Sequence, residues 1–473
     1  MSRGSGWQRW RSALGWLMAA TLVLPLLVAL AWVLSNLQDV AAVPTPPELV
    51  VPAPKIDEGQ NAFFALAGIK APLGADPVLA AKAQWQEQRD FLSLPPTQRA
   101  AASAQRMALN PSNQPVWQGG PSGPPWVCSE GEDSCVGAWL AEPSKLAAQR
   151  AAALWGPRCD ALDLQTLQFE EILPTPFHFG AFLGAHASGA VACDAWFRSA
   201  AVLAWAAGDR AAVLRAMEQA DRLNRALLSG SRSLVAQAIA LRVARRWLGT
   251  AAALAVRDPG LAADLLPLLE GWPMQRESIV RWMQVEAQLG RSALAEVARC
   301  VQPGDEVWPS GAEPGRLVKL ADAFSAWMCR RQIGFHPERT QQSMDAQWSA
   351  RIAALRDRPL GEAAPEASPR GWRWTNTLGA MLVDVAEGAY ADYLLRHADL
   401  ELQHRAVRLA LQIQQQGVAA PDRKAWTARQ ALPAHESSRL SWSADGKTLF
   451  GLRFSRPQGT ENGLRDAIRV VWP

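Results

Sequence analysis

The chain has 473 residues, 49% of them apolar, and a formal net charge of +4. That length and apolar content suffice for two or three domains with buried cores. Arg3, Arg9 and Arg11 supply three of the positive charges, and the near-neutral remainder argues against nucleic-acid binding, which needs a concentrated basic face.

Residues 13–34 carry no charge over 22 positions. As a helix rising about 1.5 Å per residue they reach about 33 Å, against about 30 Å of bilayer core. Trp7, Trp10 and Trp16 near one end and Trp32 near the other stand where interfacial aromatics stand. The arginines before the run, with Asp39 as the first charge after it, put the N-terminus in the cytoplasm by the positive-inside rule. The rival is a signal peptide cleaved near Val40-Ala41-Ala42, but the run exceeds the usual length of about 7–15 residues. The favoured expectation is an uncleaved single-pass signal anchor in the cell inner membrane over residues 1–39, with the C-terminal domain in the periplasm.

Residues 40–56 follow as a linker whose five prolines favour an extended spacer. Residues 57–356 are expected to form an all-helical exported domain of antiparallel helix pairs. Apolar periodicity and capping signals place helices at 57–69, 77–92, 95–109, 143–154, 160–172, 194–206 and 210–228. Gly208-Asp209 turns one helix into the next. Ser231 or Ser233 opens a further helix ending near Gly249, and others are expected at 259–269, 275–289, 292–300, 315–332 and 337–355. The intervening 173–189 is apolar but punctuated by Pro174, Pro176, Gly180, Gly184 and Gly189. After a second linker at 357–371, residues 372–473 read as a long helix over 375–416 and a small C-terminal β-meander packed on the helical body. The meander comprises 440–442, 449–454 and 467–471, with Asp445-Gly446 as its hairpin signal. The fold class is mainly α.

The stretch NAFFALAGIKAP at 61–72, followed by Gly74-Ala75-Asp76-Pro77, and Asn376-Thr377-Leu378-Gly379 with Tyr393 and Arg396 beyond it, resemble patches of a group of uncharacterised single-pass, membrane-anchored envelope proteins of proteobacteria. The resemblance implies a membrane-anchored envelope protein and brings no activity with it.

Chemistry-bearing residues are sparse. His397, Glu401 and His404 stand at i, i+4 and i+7, so one helix face can offer a metal two imidazoles and a carboxylate. The zincin order is absent, and Glu401 can pair with Arg405 instead, so a solvated face without metal is expected. Asp384 and Glu387, three apart, form a carboxylate pair whose simpler role is the polar edge of an amphipathic helix. His178, between Phe177 and Phe179, is read as a core or loop histidine. There is no G-x-S-x-G, S-x-x-K, P-loop, G-x-G-x-x-G or C-x-x-C. No cofactor and no nucleotide partner are therefore expected.

The function read from these features is a non-enzymatic scaffold or protein-interaction module of the cell envelope. Its partners are the inner membrane, through 13–34, and an envelope protein. The alternative is a hydrolase of wall or lipid material using the five helix residues Asp384, Glu387, His397, Glu401 and His404. An oxidising compartment would pair the six cysteines. The expected bridges, among 15 possible connectivities, are Cys128–Cys135 across a breaker-rich loop, Cys159–Cys193 and Cys300–Cys329.

Overall fold

Small-residue helices that approach one another closely set the architecture. The computed structural model describes residues 23–24, 26–32, 34, 40–94, 98, 132–163, 168–173, 185–272, 276–298, 335–363, 376–455 and 468–472. In chain order the helices are α1 (Phe63–Ala67), α2 (Pro77–Ser93), α3 (Glu132–Ala141), α4 (Pro143–Ala151), α5 (Gly156–Asp160), α6 (Ala187–Ala206) and α7 (Arg210–Gly230). They continue as α8 (Leu234–Ala255), α9 (Pro259–Leu269), α10 (Arg276–Ala298), α11 (Pro337–Asp357) and α12 (Thr377–Gln415).

The hairpin of α6 and α7 shows how sequence makes this structure. Gly208 takes φ +73°, and the Asp209 carboxylate then accepts the Ala212 N–H at 2.9 Å, capping α7. Val213, Met217, Ala220, Leu223 and Leu227 form the buried stripe of α7. Buried Ala190, Ala195 and Ala201 on α6, and Ala240, Ala244 and Ala251 on α8, leave room for the large Trp247, whose indole N–H donates to the Met217 carbonyl at 2.9 Å.

At the C-terminal end β1 (Leu440–Trp442), β2 (Thr448–Gly451) and β3 (Ile468–Val471) pair antiparallel in the order β1-β2-β3. Leu440 faces Gly451, and Thr448 faces Val471. The Asp445 carboxylate accepts the Lys447 N–H at 3.0 Å, and Gly446 at φ +66° completes the turn. Leu449, Ile468 and Val470 point into the core, and the sheet packs β3 on α8. The described chain is thus mostly helical with a small open antiparallel meander, as expected.

Two compact units are assembled from alternating segments. The smaller comprises Met1–Pro47, Gly290–Gln347 and Glu366–Gly388, and the larger Glu48–Leu289, Trp348–Pro365 and Ala389–Pro473. In the smaller unit Asn376 has φ 56°, which lets its side chain tie two helix starts. It accepts the His336 N–H at 2.8 Å and donates to the Thr340 hydroxyl at 2.9 Å. In the larger unit Leu49 is buried, the Glu48 carbonyl accepts from Gln284 at 2.9 Å, and the Glu48 carboxylate accepts from Ser349 at 2.6 Å.

The expected membrane anchor is corrected. Residues 13–22 lie outside the described residues. Within the run, residues 23–24, 26–32 and 34 are described, and they are helical. Among the described residues no helix is long and apolar enough to cross a membrane. The transmembrane component of the fold class, the inner membrane as a partner and the single-pass topology with a periplasmic domain therefore lose their basis.

Element boundaries also differ, and the helix expected to end near Gly249 runs on to Ala255. The helix expected at 57–69 is a short turn at Glu58–Gln60 followed by α1, because Asn61 is extended (φ −88°, ψ 120°) and bonds elsewhere. The helix expected at 160–172 stops at Asp160, and 168–173 is extended, with Gln168 bridged to Asn61. Helix α6 starts at Ala187, so Gly189 is helical. A Cβ there would lie 1.8 Å from the Leu66 carbonyl oxygen, so glycine permits close packing rather than breaking a helix. Helix α10 runs unbroken through Gly290, where a Cβ would meet the Met344 methyl at 2.8 Å. The helices expected at 95–109 and 315–332 lie outside the described residues, residue 98 excepted.

Cys159 on α5 and Cys193 on α6 form a disulfide, and both are fully buried. Cys128, Cys300 and Cys329 lie outside the described residues, and Cys135 is described only in its backbone on α3. A bridge closing a separation of 34 residues stabilises by about 4 kcal/mol through the unfolded chain. Cys193→Ala should lower the urea midpoint of the non-reduced protein accordingly. An unchanged midpoint would show that the bridge does not constrain the unfolded state.

Candidate functional site

A cleft of about 310 Å³ opens in the larger unit between α1 and α2 on one side and Ala161, Leu162, Asp163 and Gln168 on the other. Its walls are held by bonds that leave little freedom. The Asn61 amide donates to the Glu170 carbonyl at 2.6 Å, and its oxygen accepts the N–H groups of Phe63 at 3.0 Å and Glu170 at 3.2 Å. The Ala62 N–H donates to the Gln168 carbonyl at 2.9 Å, sewing the two walls together at the base. The Arg158 guanidinium donates to the carbonyls of Ile69 (2.9 Å), Ala71 (2.6 Å) and Pro72 (2.9 Å), fixing the loop from α1 to α2. The disulfide anchors α5, and α5 leads directly into Ala161, Leu162 and Asp163 of the opposite wall.

Phe64, Ala65, Val78 and Leu162 give the cleft an apolar lining. Phe64 is fixed edge-on against Phe63, with centroids 5.2 Å apart. At the rim the Lys82 ammonium lies 2.9 Å from the Glu58 carboxylate and 5.4 Å from the centre of the Phe64 ring. Both charged side chains are solvent-accessible, at 41% for Lys82 and 61% for Glu58.

Beside this cleft in sequence, but buried, is a carboxylate system on the N-terminus of α8. Glu171 accepts the backbone N–H groups of Arg232 (2.9 Å) and Ser233 (2.7 Å) and the Ser233 hydroxyl (2.7 Å). Glu286, from α10, accepts the Leu234 N–H at 2.9 Å, and the Tyr390 hydroxyl donates to it at 3.4 Å. The first turn of a helix leaves its N–H groups unpaired and carries the positive end of the dipole, so it suits carboxylates. Burial pushes the Glu171 pKa up, against those hydrogen bonds. Burial also raises Glu286 to about 7, with the Glu171 charge adding to the effect.

The histidines on α12 do not converge on a ligand. His397 is buried and lies parallel to the Trp282 ring, 6.5 Å between centroids, with neither ring nitrogen hydrogen-bonded. His404 stacks on Trp272 at 5.6 Å and donates from Nε2 to the Leu269 carbonyl at 2.9 Å. Burial lowers their pKa values to about 3 and about 4, so both are neutral imidazoles at pH 7. Glu401 is half-buried, and burial and then the Glu436 charge raise it to about 7. Its expected partner Arg405 instead donates to Glu436 at 2.9 Å. The solvated face expected here is thus a core-facing one, each histidine having its own aromatic partner. Among the described residues no cluster of histidine, cysteine or carboxylate groups could hold a metal ion. Asp384 and Glu387 are on α12, but their side chains, like His178 as a whole, lie outside the described residues.

Sequence reasoning missed the cleft. Asn61 was visible within the 61–72 stretch, but nothing in the sequence pairs Glu58 with Lys82. It also passed over His186, which is buried between Phe63 and Phe169 at 5.5 and 4.8 Å with both ring nitrogens unbonded.

Comparison with known proteins found no matching family model, no similar curated protein and no similar solved structure. The resemblance to anchored envelope proteins is therefore corrected. The two motifs that carried it, at Asn61 and Asn376, are asparagines tying backbone segments together. With the resemblance and the anchor gone, the envelope scaffold and the envelope hydrolase both lose their support.

Proposed function

We propose that this protein is a small-molecule-binding protein whose ligand occupies the cleft between α1, α2 and the residues Ala161, Leu162, Asp163 and Gln168. The observation that carries this reading is a concave, apolar-lined space whose walls are fixed before any ligand arrives. Asn61, Arg158 and the Cys159–Cys193 bridge each hold one part of them. Preformed clefts with a few polar groups at an apolar lining are where small ligands bind, and preorganisation removes part of the cost of binding. A volume of about 310 Å³ lies at the small end of such sites, which run about 300–1,000 Å³.

The test is a ligand-observed NMR fragment screen on the full chain, repeated with Ala65→Trp. Ala65 is a half-buried lining residue, and an indole there would fill the cleft. Binders of the wild type are expected to lose their signal with the variant while its melting temperature stays close to wild type. At a hundredfold excess over Kd, a true ligand should stabilise the wild type by about 2.7 kcal/mol. Binding that survives Ala65→Trp unchanged, or a screen without binders, would refute the reading.

A further inference from the structure

We propose that the cleft selects a small zwitterion with an apolar side group, the chemical class of apolar α-amino acids. This inference rests on the ligand-binding reading above. Its basis is the rim, where Lys82 and Glu58 present opposite charges 2.9 Å apart beside an apolar lining. An anion alone would meet the carboxylates of Glu58 and of Asp163, which also lines the cleft, and a cation alone would meet the Lys82 ammonium. A molecule carrying both charges close together can place its carboxylate on Lys82 and its ammonium on Glu58, so each protein charge exchanges one partner for another. The exchange is easy, because an ion pair this exposed contributes little to the fold. The apolar group of the ligand then enters between Phe64, Ala65, Val78 and Leu162. Lys82 is held near that lining by its position over the Phe64 ring. The Asn61 amide oxygen and one of its two N–H groups are committed to the wall.

The experiment is calorimetric titration of the full chain with L-leucine, L-phenylalanine and L-methionine. Each is compared with its amide, which lacks the carboxylate, and its N-acetyl derivative, which lacks the ammonium. At least one free amino acid should bind at least tenfold more tightly than either capped form. Lys82→Met should abolish the preference over the amide, and Glu58→Gln the preference over the N-acetyl form. Both side chains are at the surface, so both variants should fold. Capped forms that bind as well as the free ones would overturn the zwitterion while leaving the cleft a binding site. The same conclusion follows if none of the three amino acids binds although screened fragments do. If neither amino acids nor fragments bind, the ligand-binding reading itself falls.

Discussion

Glu171→Ala should cost about 3–5 kcal/mol of folding stability, the largest loss expected of any single substitution discussed here. The Glu171 side chain is 1% exposed and serves three donors at once. Alanine would leave two backbone N–H groups and the Ser233 hydroxyl without an acceptor in a place water does not reach. The Ser233 hydroxyl also caps α8 by accepting the Ala236 N–H at 3.2 Å, so its loss of orientation propagates into the helix. Glu171→Gln keeps the shape and one acceptor oxygen and should cost less, about 1–3 kcal/mol. Urea denaturation at pH 7 measures both, with Glu277→Ala on the exposed surface as a control expected within about 0.5 kcal/mol of wild type. If Glu171→Ala matches that control, the carboxylate does not hold the start of α8.

Histidines with lowered pKa values should make stability fall as pH drops below about 6.5, while carboxyls with raised ones oppose that fall. The signs follow from the groups whose pKa values burial shifts. His186 and His397 have pKa values lowered to about 3, and His404 to about 4, all chiefly by burial. A depressed histidine contributes stability that is present above its unfolded pKa of about 6.5 and lost as pH falls. Glu286 and Glu401, raised to about 7 by burial, act oppositely. Their contribution is full below the unfolded carboxylate pKa of about 4.3 and is lost as pH rises through 7. Taken alone, these five groups give a net slope of about 1.4 kcal/mol per pH unit between those limits. Glu171, Asp194 and Asp221, whose pKa values burial also raises, act with the two glutamates and flatten it. Denaturation midpoints measured from pH 8 to pH 4 test the profile. His186→Phe, which fits a pocket already walled by Phe63 and Phe169, should remove one proton from the slope and shift acid unfolding to lower pH. An unaltered acid limb would mean that His186 is protonated in the folded protein.

What the sequence disclosed follows local physics. The stripe of α7, the Gly208-Asp209 turn and the Asp445-Gly446 hairpin depend on residues within a few positions of each other, and each was legible. Gly189 was misread because a punctuating glycine and a glycine that admits a neighbouring backbone look alike until the neighbour is known. The candidate site was not legible for the same reason. Glu58 meets Lys82, and Asn61 meets Glu170, only after the loops between them have closed. The histidines of α12 were assigned to solvent because their spacing suggested a polar face. Trp272 and Trp282, which cover them, come from far earlier in the chain. The uncharged N-terminal run was read by length and charge alone, and among the described residues no helix is long and apolar enough to cross a membrane.

The alternating segments of the larger unit have a consequence for how the chain reaches its fold during synthesis. Glu48 near its beginning waits for Gln284 and Ser349, and Asp399 accepts the Phe454 N–H only once the last segment has emerged. The apolar surface of α8 that β3 covers has no earlier substitute. At about 5–20 residues per second, the 184 residues between position 289 and the end of the chain take roughly 10–40 s to appear. For that interval a nascent chain carries a helical hairpin with an uncovered apolar flank. Contacts this distant in sequence also close slowly after release. The protein is therefore one whose yield depends on what shields an unfinished core on the ribosome as much as on the stability of the finished one.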